Sequence, residues 1–199
     1  MKKFERLSPE QRKAEIQTAA LQLFQEKGFA ASTMENIVER VSLSKGGVYR
    51  IYPSLTAILG DIMLNGMRLR NAYYAECAKK EQEAGRALTL PFLVEMIGES
   101  LPLYPEISSV YAEFLWEKRR NPELEALYQS ICEETAHETE ALIRKYGAED
   151  LLLSDPALLT RLTDLMNGAV LSLHVLNLTD AFSAQKEKLC NAIVQLLQF

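Results

Sequence analysis

Thr33-Met-Glu-Asn-Ile-Val-Glu-Arg-Val-Ser-Leu-Ser-Lys-Gly-Gly-Val-Tyr-Arg-Ile-Tyr52 dictates the architecture expected of this chain. A capping hydroxyl at Ser32 or Thr33, with Glu35 behind it, starts a helix whose apolar stripe is Met34, Ile37, Val38 and Val41. Ser42-Leu43-Ser44 reads as a short turn, and Ser44 caps a second, very short helix over 45–51 that Pro53 stops. Ile37, Val41, Leu43, Val48 and Tyr52 are spaced to meet in one small core. Ser44, Lys45, Gly46, Gly47, Tyr49 and Arg50 are left on the outer face of the second helix.

That outer face has the chemistry of a DNA reader. Helix N-terminal amides and hydroxyls hold phosphates. Glycines allow close backbone approach, and an arginine such as Arg50 can pair bidentately with guanine. A plain helical hairpin with a solvated face is the structural alternative.

On the N-terminal side, Ser8-Pro9-Glu10-Gln11 predicts a helix start, and Ile16, Ala19, Ala20, Leu23 and Phe24 repeat at helical spacing up to Gly28. Phe29 can fold back on that helix end. Downstream, Ser54 opens a long helix to about 84, bounded by Gly85. Further helices are predicted at about 86–100, 105–120, 122–146, 155–177 and 182–198, punctuated by Pro91, Pro102, Pro105, Pro122, Pro156 and Gly147. Thr179 to Phe182 is read as the link between the last two helices, and no strand pattern is found. The expectation is an all-α chain of about nine helices, with a helix-turn-helix domain over 1–53 and a ligand-binding and dimerisation domain over 54–199.

Bulk properties fit. With 199 residues, 48% of them hydrophobic and 25% charged, the chain can bury a real core. Residues 1–60 carry a net +3 and the remainder −8, within a total of −5. A mildly basic head on an acidic body suits a protein that meets DNA at one end only. No apolar run reaches the length of a bilayer span, and the charged start has no signal-peptide core behind it, so a cytoplasmic location is expected. Cys77, Cys132 and Cys190 are odd in number and widely spaced, which predicts neither a disulfide framework nor a zinc site.

The segment resembles the N-terminal signature of the TetR (tetracycline-repressor) family. Thr33, Ile37, Leu43, Ser44, Lys45, Gly46, Val48, Tyr49, Tyr52, Ser54 and Ile58 or Leu59 fall on its register, and Ala19-Ala20 through Phe24 to Gly28-Phe29 matches its first helix. The resemblance covers about residues 9–60, and the helical body extends it loosely to the end. It implies that Thr33, Ser44, Lys45 and Tyr49 hold phosphates while Lys45, Gly46, Gly47 and Arg50 face bases. Arg40 reads equally as a phosphate contact or a surface charge. Three positions depart from the pattern. Ser42 stands at a turn glycine, Ile51 at a Tyr or His that often touches phosphate, and Leu55 at a lysine that commonly contacts DNA. They imply a weaker grip, or compensation by Lys2, Lys3 and Arg6. Tyr52 reads as core.

One such motif gives too little contact for a specific site, so a two-fold dimer on paired half-sites about 34–36 Å apart is expected. Leu158, Leu159, Leu162, Leu165, Met166, Ala169, Val170 and Leu173, with Leu189, Ile193, Leu196 and Leu197, make the last two helices its seam. The resemblance also implies a pocket for a small apolar or aromatic effector. The candidates for lining it are Met63, Met67, Phe92, Met96, Tyr104, Tyr111, Phe114, Leu115, Trp116 and His174, each of which also reads as plain core.

No cofactor and no metal are expected. With only His137 and His174 no nucleophile–base–acid set assembles, and Glu134-x-x-His137 lacks the second copy that a di-iron site needs. The reading is therefore a ligand-responsive repressor on a palindromic operator, not an enzyme. A helical interaction module with a degenerate helix-turn-helix, and a small-molecule enzyme on a bundle fold, are the alternatives.

Overall fold

The computed structural model describes residues 7–197, and its described residues form helices and turns only. Lys2, Lys3 and Arg6, invoked above as compensating cations, lie outside the described residues.

The head is α1 (Pro9–Lys27), α2 (Met34–Val38) and α3 (Lys45–Ile51). Its starts are written in its hydroxyls. Ser8 and Gln11 close a capping box on α1, Thr33 and Asn36 close another on α2, and Ser44 Oγ accepts from the Gly47 amide at the start of α3. Gly28 ends α1 at φ 83°, a conformation open to glycine at little cost, and its amide donates to the Phe24 carbonyl at 2.9 Å. The turn throws Phe29 back onto Phe24, ring centroids 5.4 Å apart.

The body is α4 (Leu55–Glu83), α5 (Leu90–Ser100), α6 (Pro105–Glu117), α7 (Pro122–Lys145), α8 (Glu149–Ser154), α9 (Leu158–His174) and α10 (Thr179–Leu197), with one 3-10 turn at Lys118–Arg120. Among the described residues ten α-helices therefore stand where about nine were expected. The extra one, α8, fits between Gly147 and Pro156 and opens on Glu149 and Asp150, which favour a helix N-terminus. Other boundaries move as well. α5 begins at Leu90 behind a Thr89 cap rather than at 86, and α6 tightens into the 3-10 turn after Glu117. α9 is trimmed at both ends, to Leu158–His174. Thr179 to Phe182 is the first turn of α10 rather than a link. The link is Val175–Leu178, where Asn177 sits at φ 54°.

Ile16, Leu23, Phe24, Ile37, Val48 and Ile58 are sealed within one core. Each such side chain contributes roughly 1.5–3 kcal/mol by leaving water. The same core runs on through Met63 into Val110 and Phe114 of α6 and Leu124 and Ile131 of α7. Movement in the body thus meets the head through packed side chains.

Candidate DNA-binding face and effector cavity

Ser44, Lys45, Gly46, Tyr49 and Arg50 are exposed on one side of α3, while Val48 turns inward and is fully buried. Nothing stands within 4 Å of the Gly46 Cβ position, so its backbone faces open space. Gly47 turns the other way, and a Cβ there would meet Ser44 Oγ at 3.3 Å and Leu43 Cδ2 at 3.4 Å. Thr33 is exposed at the start of α2, where its hydroxyl donates to Asn36 Oδ1 at 2.9 Å and accepts from the Asn36 amide at 3.2 Å.

Glu35 of α2 is a member of this face that residue spacing alone did not mark. Lys45 Nζ lies 2.9 Å from its carboxylate, the Tyr49 hydroxyl donates to the same oxygen at 3.4 Å, and Lys45 sits 5.7 Å from the Tyr49 ring centre. Hydrogen bonding from Lys45 holds the Glu35 carboxyl below its usual range, and Glu35 raises Lys45 in return. Both groups are open to water, so the pair is a weak restraint that a phosphate can displace. Arg50 has no carboxylate within ion-pair distance among the described residues, and so remains available. Arg40 is held by Glu26 of α1 through two bonds, at 2.9 and 2.6 Å.

The three departures have local explanations. Among the described residues the only non-glycine at positive φ is Asn177, so Ser42 needs no glycine geometry. Its amide and hydroxyl both donate to Glu15 of α1, at 2.6 and 3.0 Å. Ile51 and Leu55 pack half-buried against the head core instead of reaching outward. Tyr52 is core, as expected, but carries a polar tip. Its hydroxyl donates to Asp61 Oδ2 at 2.6 Å and accepts from Gln17 Nε2 at 2.8 Å. Burial first, then Asp61, push the Tyr52 phenol well above the usual tyrosine range. Asp61 is desolvated, yet the bonds from Lys13, at 2.5 Å, and from Tyr52 outweigh this and hold its carboxyl low. This knot pins the end of α3 to α1 and α4, and so sets the angle of the exposed α3 face. Nothing in residue spacing marks Gln17, Lys13 or Asp61 as partners.

The body holds a cavity of about 50 Å³ between α4, α5, α6, α7 and α9. Of the residues expected to line it, Met63, Met67, Tyr104 and Tyr111 do. The others are elsewhere. Phe114 is sealed in the first core, with Leu115 buried beside it on α6, and Phe92 and Met96 belong to a separate cluster around Tyr74 and Ile143. Trp116, 49% exposed, and His174 flank an open groove on the outer side of α6. Burial lowers the His174 imidazole from its ordinary value. Met166, expected in the dimer seam, lines the cavity, and Gly66, Arg70, Ser108, Thr135 and Thr163 line it and were missed. Polar and small residues give no apolar signal in a sequence.

The head is tied to one wall of this cavity. Glu113 lies on α6, the helix that also supplies Ile107 and Tyr111 to the wall, and it accepts the Phe29 amide at 2.5 Å, beside Gly28. Burial raises the Glu113 carboxyl, more than the Phe29 bond lowers it.

Known proteins share the sequence of the head and the overall fold. Residues 16–62 match the family model described as bacterial regulatory proteins, tetR family. An uncharacterised HTH-type transcriptional regulator of Bacillus subtilis (strain 168), YfiR, is 38% identical over 58 residues, 29% of this chain. The matched stretch spans only 28% of that relative's length. Two solved structures share the fold nearly end to end. Salmonella enterica GusR superposes with a TM-score of 0.69 at 19% identity, covering 96% of this chain and 95% of its own. A protein from Mesorhizobium loti, assigned to the TetR-family transcriptional regulators, gives 0.61 at 17% identity, with 96% of each chain covered. Residues 16–62 thus carry the signature of the tetR family of bacterial regulatory proteins, and the chain as a whole shares its fold with these two structures.

Proposed function

We propose that the chain is a ligand-controlled transcriptional repressor, not an enzyme, that grips a palindromic operator as a homodimer and is released by a small molecule. The observation that carries the reading is the α3 face. Ser44, Lys45, Tyr49 and Arg50 stand exposed together on a helix whose opposite side is sealed into a core continuous with the cavity wall.

Thr33, Ser44, Lys45 and Tyr49 are assigned to phosphates, and Gly46 and Arg50 to base edges, while Gly47 leaves room for the Ser44 and Leu43 side chains at the start of α3. A phosphate taking Lys45 and Tyr49 displaces Glu35, so engagement replaces one anionic partner with another. Met63, Met67, Tyr104 and Tyr111 are assigned to the effector.

Dimerisation is supported by α10. Of its 19 residues only Leu197 is buried among the described ones, while Leu189 and Leu196 are exposed. The adjoining link exposes Val175 and Leu176 as well. An amphipathic helix left so bare is suited to a second copy of itself.

Selection of bound sequences from a random DNA pool, read at two salt concentrations, tests the reading. Recovery of an inverted repeat, with binding that weakens as salt rises, is the expected result. A pool that stays unenriched at low salt, with the protein folded and ligand-free, refutes it and favours an interaction module.

A further inference from the structure

The effector cavity contains a cation with nothing to hold. Arg70 of α4 lines the main cavity and also an adjoining recess bounded by α4, α5, α7 and α9. No Asp or Glu lines either space. Arg68, two residues earlier, reaches Glu134 at 3.6 Å, whereas Arg70 makes no ion pair and no side-chain hydrogen bond among the described residues.

Most of the hydroxyls around it are already committed. Tyr111 donates to Asn167 at 2.9 Å, and Asn167 donates on to Tyr128 at 2.9 Å. Thr135 and Thr163 bond back to the carbonyls of Ile131 and Leu159. Burial raises the phenols of Tyr74 and Tyr111, so both stay neutral and neither serves as a counter-anion. Tyr104 is loosely engaged, its hydroxyl 3.4 Å from the Leu69 carbonyl next to Arg70, and Ser108 makes no side-chain hydrogen bond among the described residues. Around these groups the wall is apolar and pliable, built from Met63, Met67, Met166, Ile107 and Val170.

Arg70 is half-buried against this wall, and what its guanidinium gives up in hydration the protein does not return. Its fork fits a carboxylate bidentately. Resting on the ligand-controlled reading above, we propose that the effector is an organic acid, its carboxylate on Arg70 and its apolar or aromatic body on the methionine wall. The cavity is much smaller than the roughly 300 Å³ or more of an ordinary ligand site, so entry of the acid parts α4 from α6.

The test uses the full chain and its selected operator. The probes are 3-phenylpropanoate and octanoate, their primary amides, and phenyl phosphate. Wild type, Arg70→Gln and Arg70→Lys are compared by calorimetry and by operator release. The acids bind and release DNA. The amides bind about 10- to 100-fold more weakly, the loss of a charge-assisted hydrogen-bonded pair. Arg70→Gln brings the acids down to the level of the amides and leaves the amides unmoved, while Arg70→Lys keeps part of the preference. Phenyl phosphate binding alongside the acids extends the recognition to anions in general, and its rejection confines it to carboxylates. Amides binding as tightly as acids, or acids indifferent to Arg70→Gln, overturn the charge assignment and leave the ligand-controlled reading standing. Silence of the whole panel also overturns it. The ligand-controlled reading itself falls if, in addition, Gly66→Ala at the cavity wall leaves operator binding unchanged.

Discussion

Gly66→Ala wedges the cavity open without a ligand. A Cβ at Gly66 would stand 2.7 Å from Ile107 Cγ2, and ordinary contact begins at 3.4 Å, so α4 and α6 must part locally by about 0.7 Å. The opposing atom is a methyl on the branched Cβ of Ile107, not the far end of a flexible chain, which prevents a cheap escape. Overpacking of this kind costs about 1–3 kcal/mol. Replacing a helical glycine by alanine returns about 1 kcal/mol. The net expectation is a loss of up to about 2 kcal/mol in denaturant unfolding of the ligand-free protein. The functional expectation is larger in proportion. α4 carries the head at one end, and α6 holds the head through Glu113, so parting them changes how the head is presented. Ligand-free operator affinity, measured by fluorescence anisotropy, should fall about 5-fold or more, the scale of ordinary allosteric coupling. A variant that gains about 1 kcal/mol and binds operator like wild type would refute both the tight packing and the coupling drawn from it.

The other expectations concern single side chains. Arg50→Ala should lose about 1–3 kcal/mol at the selected site and relax base preference there, whereas Tyr49→Phe should weaken every duplex about equally; competition binding against mismatched duplexes separates the two. Glu35→Gln should strengthen DNA binding at low salt, because Lys45 and Tyr49 no longer carry a competing carboxylate, and an unchanged affinity would mean that phosphates never take that place. Tyr111→Phe should cost about 1–3 kcal/mol in unfolding experiments, since Asn167 Oδ1 is left unpaired. Glu113 binds its proton more tightly in the folded chain than in the unfolded one, so its contribution to stability falls as pH rises from its unfolded pKa through the raised folded one. Glu113→Gln should flatten that slope in unfolding measured across mildly acidic pH.

The exposed α3 face was legible because it is made by local rules. Ser44, Pro53 and the alternation of Val48 with Tyr49 and Arg50 state a short exposed helix within a few residues of sequence. The cavity was legible only at its apolar members on α4 and α6. Phe114 and Met96 have the same residue chemistry as Met63 and Tyr111, and only the rotation of each helix decides which ones line a void. Arg70 reads as an ordinary surface cation on a long polar helix until α5, α7 and α9 enclose it. The Tyr52–Asp61 bond and the Glu113–Phe29 bond tie a helix to the end or turn of another segment, a pairing that no single-helix periodicity contains. The short helix α8 escaped because six residues between Gly147 and Pro156 are too few to show a period.

The proposed engagement of DNA by the α3 face, through phosphates and bases, would leave a signature in salt. The decisive experiment follows operator affinity against salt concentration for wild type and for Lys45→Ala, on the same selected duplex. Wild type should show a steep linear fall of log affinity with log salt. The variant's slope should be shallower by about 1–2, because each head of the dimer gives up one phosphate. A flat dependence in wild type, or a slope untouched by Lys45→Ala, would mean that α3 does not hold phosphates.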